Sequence, residues 1–173
     1  MIKRVSFIAV LTFGLVFSVS AQSTFHNTFL SSYDAATDKV VQLAGAFSQE
    51  QYDWRPAEGV RSVSEAMMHV ASANFFFASM LGAKTPEGIN PQELESKVKS
   101  KEEASKMLKM SIEHARKAIE KTSVAALEEE IDLFGSKAPK MRLVILIGDH
   151  ANEHLGQLIA YARSTGVVPP WSN

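Results

Sequence analysis

The chain has 173 residues, enough for one ordinary globular domain with its own core. Its 18 basic and 19 acidic residues give a formal charge of −1, so it has no basic field of the kind that holds a phosphate backbone, and nucleic acid is not an expected partner. Cysteine is absent, which excludes disulfides, thiolate zinc sites, iron–sulfur clusters and thiol nucleophiles; any metal must be held by nitrogen and oxygen.

Residues 1–21 read as a secretory signal peptide. Lys3 and Arg4 form a positive start, Val5 to Phe17 is mostly apolar, and Ser18-Val19-Ser20-Ala21 supplies the small residues a signal peptidase requires. Cleavage is expected after Ala21. The apolar stretch is shorter than the about 20 residues a helix needs to cross about 30 Å of hydrocarbon, so removal is expected rather than anchoring. These features predict an exported protein, periplasmic or secreted, with no membrane anchor after processing and a mature domain at 22–173. Loss of Lys3 and Arg4 leaves 16 basic against 19 acidic residues, a net charge of −3, which bears on solubility rather than on partners.

The mature chain reads as helical throughout. Phe25, Phe29, Tyr33, Ala36, Val40, Leu43 or Ala44, and Phe47 recur at the three-and-four spacing of one helix face. Ser48 to Arg61 holds Pro56 and Gly59 and is a connection, with Tyr52 and Trp54 expected to fold back onto the core. Ser62 and Glu65 match a capping box that opens a second helix. That helix carries Val63, Ala66, Met67, Val70, Ala73, Phe76, Phe77, Met80 and Leu81, and it stops at Gly82, a candidate left-handed residue. Pro91 opens a short helical turn running to Val98. Ser100 and Glu103 repeat the capping pattern ahead of a third helix with Ala104, Met107, Leu108, Ser111, Ile112, Ala115, Ala118 and Ile119. The pattern loosens between Thr122 and Ala138, with no convincing strand alternation. A last helix runs from about Lys140 to Gly166, with Pro169 and Pro170 beyond it.

Four amphipathic helices predict an all-α four-helix bundle, whose interior is the usual place for a metal or ligand site. His150 and His154 are four residues apart on the row Leu146, His150, His154, Gln157, Tyr161, so both imidazoles face one side of the last helix. His69 lies on the row Ser62, Ala66, His69, Ala73, Phe76 of the second helix, among small residues that leave room beside the ring. Three histidines could then converge from two helices. The competing reading is structural, because helix histidines are often hydrogen-bonded core or boundary residues and a four-residue spacing also arises by chance. His26, near the start of the first helix, and His114, on a charged stretch, are assigned no site role.

Two named metal sites fail on residues alone. His150 to His154 also fits the inverted zinc-protease pattern, HxxEH, but no Asp or Glu follows His154 to complete it. A di-iron carboxylate bundle needs Glu-x-x-His on two helices, and no such motif occurs.

Three segments together resemble the DinB-like superfamily: Tyr52-Asp53-Trp54-Arg55-Pro56 through Ser62-Val63 to Met68-His69-Val70; His150-Ala151-Asn152-Glu153-His154-Leu155-Gly156-Gln157; and Ala162 to Gly166 with Pro169-Pro170. The resemblance covers essentially the whole mature chain. It implies a bundle in up-down-down-up order, often dimeric, with a divalent metal held by three histidines at the positions of His69, His150 and His154. Three neutral imidazoles leave an ion its full charge and an open position, the arrangement of catalytic sites, where bound water is acidified. Zinc or nickel suits imidazole best, and iron or manganese is also compatible. Gln157 and Tyr161 are expected to line the cavity or orient the ligands, with plain helix packing as the alternative. Glu153 is expected to face solvent or another subunit.

The resemblance leaves the reaction open among metal-dependent hydrolysis of an unidentified small molecule, thiol transfer and no catalysis at all. The thiol cosubstrates of such transferases are cytosolic. Export therefore ranks a hydrolase, or a non-catalytic metal-stabilised bundle, above an S-transferase.

Overall fold

The computed structural model describes residues 5–172, with side chains from Thr24 onward. The described residues form six helices and one hairpin: α1 Val5–Ala46, α2 Val63–Met80, α3 Leu94–Lys97, α4 Lys101–Lys121, α5 Val124–Leu127, β1 Glu130–Leu133, β2 Ser136–Pro139 and α6 Lys140–Ser164. Short 3-10 turns occupy Glu50–Asp53 and Pro91–Glu93. Helix α1 packs on α6 and α4, and α2 packs on α3, α4 and α6. The expected cleavage after Ala21 falls on side chains outside the described residues. Among the described residues no helix is long and apolar enough to cross a membrane.

The first apolar row packs as its spacing predicts, since Tyr33, Ala36, Val40, Leu43, Ala44 and Phe47 are all buried. The connection after α1 folds inward. Tyr52 is buried and donates its hydroxyl to the Ala44 carbonyl at 2.8 Å, while Trp54 lies edge-on to Tyr161 of α6. Ser62 and Glu65 form the complete capping box: the Glu65 amide donates to the Ser62 hydroxyl, and the Ser62 amide donates to the Glu65 carboxylate at 2.9 Å. Helix α2 ends at Met80 with Leu81 as its cap, and Gly82 follows with φ +93°, the left-handed stop that glycine allows. At Ser100 only half of the second box forms, because the Glu103 carboxylate takes the Ser100 hydroxyl rather than its amide.

The hairpin departs from the all-helical expectation between Thr122 and Ala138. Its strands pair Glu130 with Pro139 and Leu133 with Ser136, which leaves Phe134-Gly135 as a two-residue turn. Both turn residues have positive φ, +57° and +84°, the combination of a type I′ turn. Ile131 and Leu133 pack against a cluster built on Leu143, Val144 and Ile147 of α6. Four alternating residues are too short a signal to stand out in sequence, and packing on α6 settles the local choice. A second buried cluster, around Phe47, Met67, Phe75 and Leu158, fills the rest of the interior. His150 and His154 lie on α6 where the two clusters meet, flanking Ala151 of one and adjoining Leu155 of the other.

The Glu65 carboxyl is pulled down to about 2, chiefly by the Ser62 amide, with partial burial opposing and Lys99 and Arg55 assisting. Its folded pKa lies below its unfolded value of 4.5, so its stabilisation is present above that pH and is lost as the pH falls towards about 2. Urea denaturation of Ser62→Ala should show a loss of about 1 kcal/mol. Glu65→Gln should be destabilised at neutral pH and should lose less further stability than the parent on acidification through this window.

Candidate metal centre

Helix α2 presents His69, and one face of α6 presents His150 and His154. The structure brings the three together: each offers one ring nitrogen, and these nitrogens lie within 4.8 Å of one another. Ring centroids are separated by 4.4 Å for His150–His154, 4.8 Å for His69–His154 and 5.1 Å for His69–His150. His154 is buried and the other two are half-buried. Nε2 of His69 lies 3.3 Å from Nε2 of His150.

Their outer nitrogens are held by neighbours. His69 Nδ1 lies 2.8 Å from Oε1 of Glu95. A carboxylate only accepts, so Nδ1 carries the hydrogen and Nε2 is the nitrogen left to face the other histidines. Glu95, on α3, is fixed in turn by Arg61, whose Nε donates at 2.7 Å. On the other side His154 Nδ1 donates to Gln157 Oε1 at 2.7 Å, Gln157 Nε2 donates to the Tyr161 hydroxyl at 2.8 Å, and that hydroxyl donates to the Arg61 carbonyl at 3.0 Å. Trp54 backs Tyr161, with ring centroids 5.3 Å apart. Arg61 therefore supports one histidine through its side chain and another through its backbone.

The electrostatics follow from this packing. Burial, with His154, His69 and Arg61 nearby, pushes the His150 imidazole down to about 4. Burial also lowers His154, against the opposing hydrogen bond to Gln157. Burial of Glu95 opposes its ionisation, but hydrogen bonds from Arg61 and His69 outweigh it and hold the carboxyl below its usual range. Near neutral pH, His150 and His154 are thus lone-pair donors beside an ionised outer carboxylate.

This donor set fits a divalent cation. Two histidines have their outer nitrogens engaged, as ligating histidines do. The 3.3 Å between Nε2 atoms of His69 and His150 is about the separation of two ligands each about 2.0–2.1 Å from a tetrahedral ion. Among the described residues no fourth His, Asp or Glu joins the cluster. On its open side lies a cleft of about 630 Å³, lined by His69 and His150 together with Ala73, Phe76, Phe77 and Phe134.

Gln157 and Tyr161 stand behind His154 in a hydrogen-bond chain and do not line this cleft. Glu153 is exposed. His26 is not at a loose helix start: it is buried, with Nε2 2.8 Å from the Thr122 carbonyl, and it ties α1 to the end of α4. His114 packs on the Phe75 ring, and its Nε2 is buried without a hydrogen-bond partner; burial first, then Lys117, lowers its pKa. Sequence reasoning missed Glu95, Arg61 and Phe134. Glu95 and Arg61 share no helix row with a histidine, so no spacing announces them. Phe134 could have been suspected from a Phe-Gly pair between Leu133 and Ser136.

Fold and cluster together define a helical protein with a three-histidine site opening on a cleft. Residues 32–158 match the family model of the DinB superfamily, and the chain belongs to that family. It is 27% identical over 145 residues to the uncharacterized protein YjoA of Bacillus subtilis strain 168, across 81% of this chain and 90% of that protein. The crystal structure of YjoA, a DinB-like protein, superposes with a TM-score of 0.65 at 25% identity, covering 82% of this chain and 93% of that one. A DinB-like protein from Bacillus cereus ATCC 10987 superposes with a TM-score of 0.72 at 18% identity, covering 84% of this chain and 95% of that one.

Because the folded pKa of His150 is depressed from 6.5 to about 4, the unfolded chain binds more protons between those values, and stability falls as the pH drops through that window. In chelator-treated protein the melting temperature should decline from about pH 6.5 to about pH 4, and His150→Ala should flatten that decline.

Proposed function

We propose that this protein holds a divalent metal ion on His69, His150 and His154 and acts as an exported metal-dependent hydrolase on a small molecule bound in the adjoining cleft. The observation that carries this reading is the open side of the cluster: three imidazoles converge, no carboxylate closes the set among the described residues, and the cleft reaches His69 and His150. A bound ion would supply Lewis acidity there, with zinc or nickel best suited to imidazole and iron or manganese compatible. The chain's own residues do the positioning. Glu95 and Gln157 set which nitrogen of His69 and of His154 faces inward, and Phe77 meets the His150 ring edge-to-face at 5.7 Å, which limits its rotation.

Support for export is the sequence of residues 1–21, with its basic start, apolar middle and small residues at Ser18 to Ala21. The packing of α1 on α4 and α6, and of α2 on α4 and α6, supports reading the four long helices as an up-down-down-up bundle. Hydrolysis is favoured over thiol transfer because the chain has no thiol of its own and export would separate it from cytosolic thiols. A second reading has one observation in its favour. The cluster joins α2 to α6, so an ion there could serve only to staple the bundle.

Elemental analysis of the purified protein should find about one divalent ion per chain, lost in the His150→Ala, His154→Ala double variant. Equal metal content in the two would overturn the reading. Glu95→Ala should weaken the metal about 10–100-fold in competition with a chelating dye, because it frees the outer nitrogen of His69. A staple alone predicts that metal removal lowers the melting temperature while no small molecule competes for the open side.

A further inference from the structure

The cleft beside the histidines ends in an unusual rim. Phe134, at the tip of the β1–β2 hairpin, is 65% exposed, and Phe76 of α2 is 48% exposed. Their rings lie 6.4 Å apart at an interplanar angle of 21°, and both line the same cleft as His69 and His150. Two large apolar side chains held in solvent side by side are the kind of patch that marks a ligand site.

The backbone points the same way. Phe134 has φ +57° and is the only non-glycine residue with positive φ among the described residues. A type I′ turn favours Asn, Asp or Gly at this position, and a bulky side chain is strained there. A residue poorly suited to the turn thus occupies it, with its ring stacked on Phe76. Such strain is found where surrounding structure and function maintain it.

Polar side chains on the cleft wall are Thr85, Asn90, Gln92 and Glu95, with the two serines Ser72 and Ser79 turned to the backbone. The hydroxyl of Ser72 donates to the Pro91 carbonyl at 2.6 Å and that of Ser79 to the Phe76 carbonyl at 2.6 Å. Ala73, Phe77 and Pro91 supply apolar surface to the same cleft. A cleft of about 630 Å³ is of small-molecule size.

We propose that Phe76 and Phe134 form an aromatic platform that selects small molecules carrying a planar apolar group, held so that a polar donor on the same molecule reaches the histidine cluster. This rests on the reading of the histidines as a metal centre open to the cleft, and it adds the class of ligand. The planar group stacks on the two rings, excluding water from the rim, while the hairpin sets the distance between platform and metal.

Two hydroxamates that share a metal-binding head test it: benzohydroxamate carries a ring and acetohydroxamate does not. With the zinc-loaded full chain, titration calorimetry should show benzohydroxamate binding at least roughly threefold to tenfold tighter, the increment expected of aromatic contacts. Phe134→Asn should remove most of that increment and leave acetohydroxamate unchanged. Because Asn accepts positive φ, the same variant should melt at or above the parent temperature, whereas a purely structural role for Phe134 predicts a lower one. Equal affinity for the two probes, an unchanged increment in Phe134→Asn, or a lowered melting temperature would overturn the proposal. So would a dimer in sedimentation that Phe134→Asn dissociates, since the rings would then be covered by a second copy. Fluorescence of anilinonaphthalene sulfonate with chelator-treated protein reads the platform without metal. Dependence on Phe134 there, in a protein that takes up no zinc when the metal is returned, would refute the metal reading alone, and binding indifferent to Phe134 would refute the platform.

Discussion

The site depends on one constraint: holding one nitrogen of a histidine fixes which nitrogen it can turn to a cation. Here Glu95 holds Nδ1 of His69 and Gln157 holds Nδ1 of His154, each by a short hydrogen bond. The Nε2 lone pairs are thereby turned inward, and the rings lose the rotational freedom that would make their convergence costly. His150 has no such outer partner. It is held by its neighbours on α6 and by the edge of Phe77.

Arg61 connects the two supports. Its guanidinium bonds Glu95, its carbonyl accepts from Tyr161, and Tyr161 accepts from Gln157. The segment between α1 and α2, which is neither helix nor strand over most of its length, therefore determines the orientation of histidines on two different helices. Trp54 and Tyr52 anchor that segment to the core, and the capping box at Ser62 and Glu65 fixes where it turns into α2. Burying His150 and His154 is unfavourable for their charged forms, as their lowered pKa values record. The same desolvation keeps them available as neutral ligands. Packing and metal-ligand chemistry thus act in one direction at this place in the fold.

Much of the scaffold was legible because helices obey local rules. The three-and-four apolar rows mark the long helices, Ser62 with Glu65 marks a helix start, and Gly82 marks a stop, each through contacts within a few residues. The four-residue spacing of His150 and His154 reveals a shared face for the same reason. Signals weakened where tertiary contact outweighs local preference. The β1–β2 hairpin carries a turn residue that local preference disfavours, and it forms against α6. His26 looked like a loose helix start and is buried against the end of α4, a contact 96 residues away in the chain.

What the sequence determined by itself is therefore the four long helices, through periodicity, and three histidines on two of them that the family resemblance marks as candidate ligands. Only the tertiary structure decided that His69 meets His150, 81 residues further on, at 3.3 Å. It also decided that Glu95 and Arg61 back the site, and that two exposed phenylalanines flank the way in. Those relations join side chains on separate elements, and no local spacing encodes which faces of a folded chain will meet.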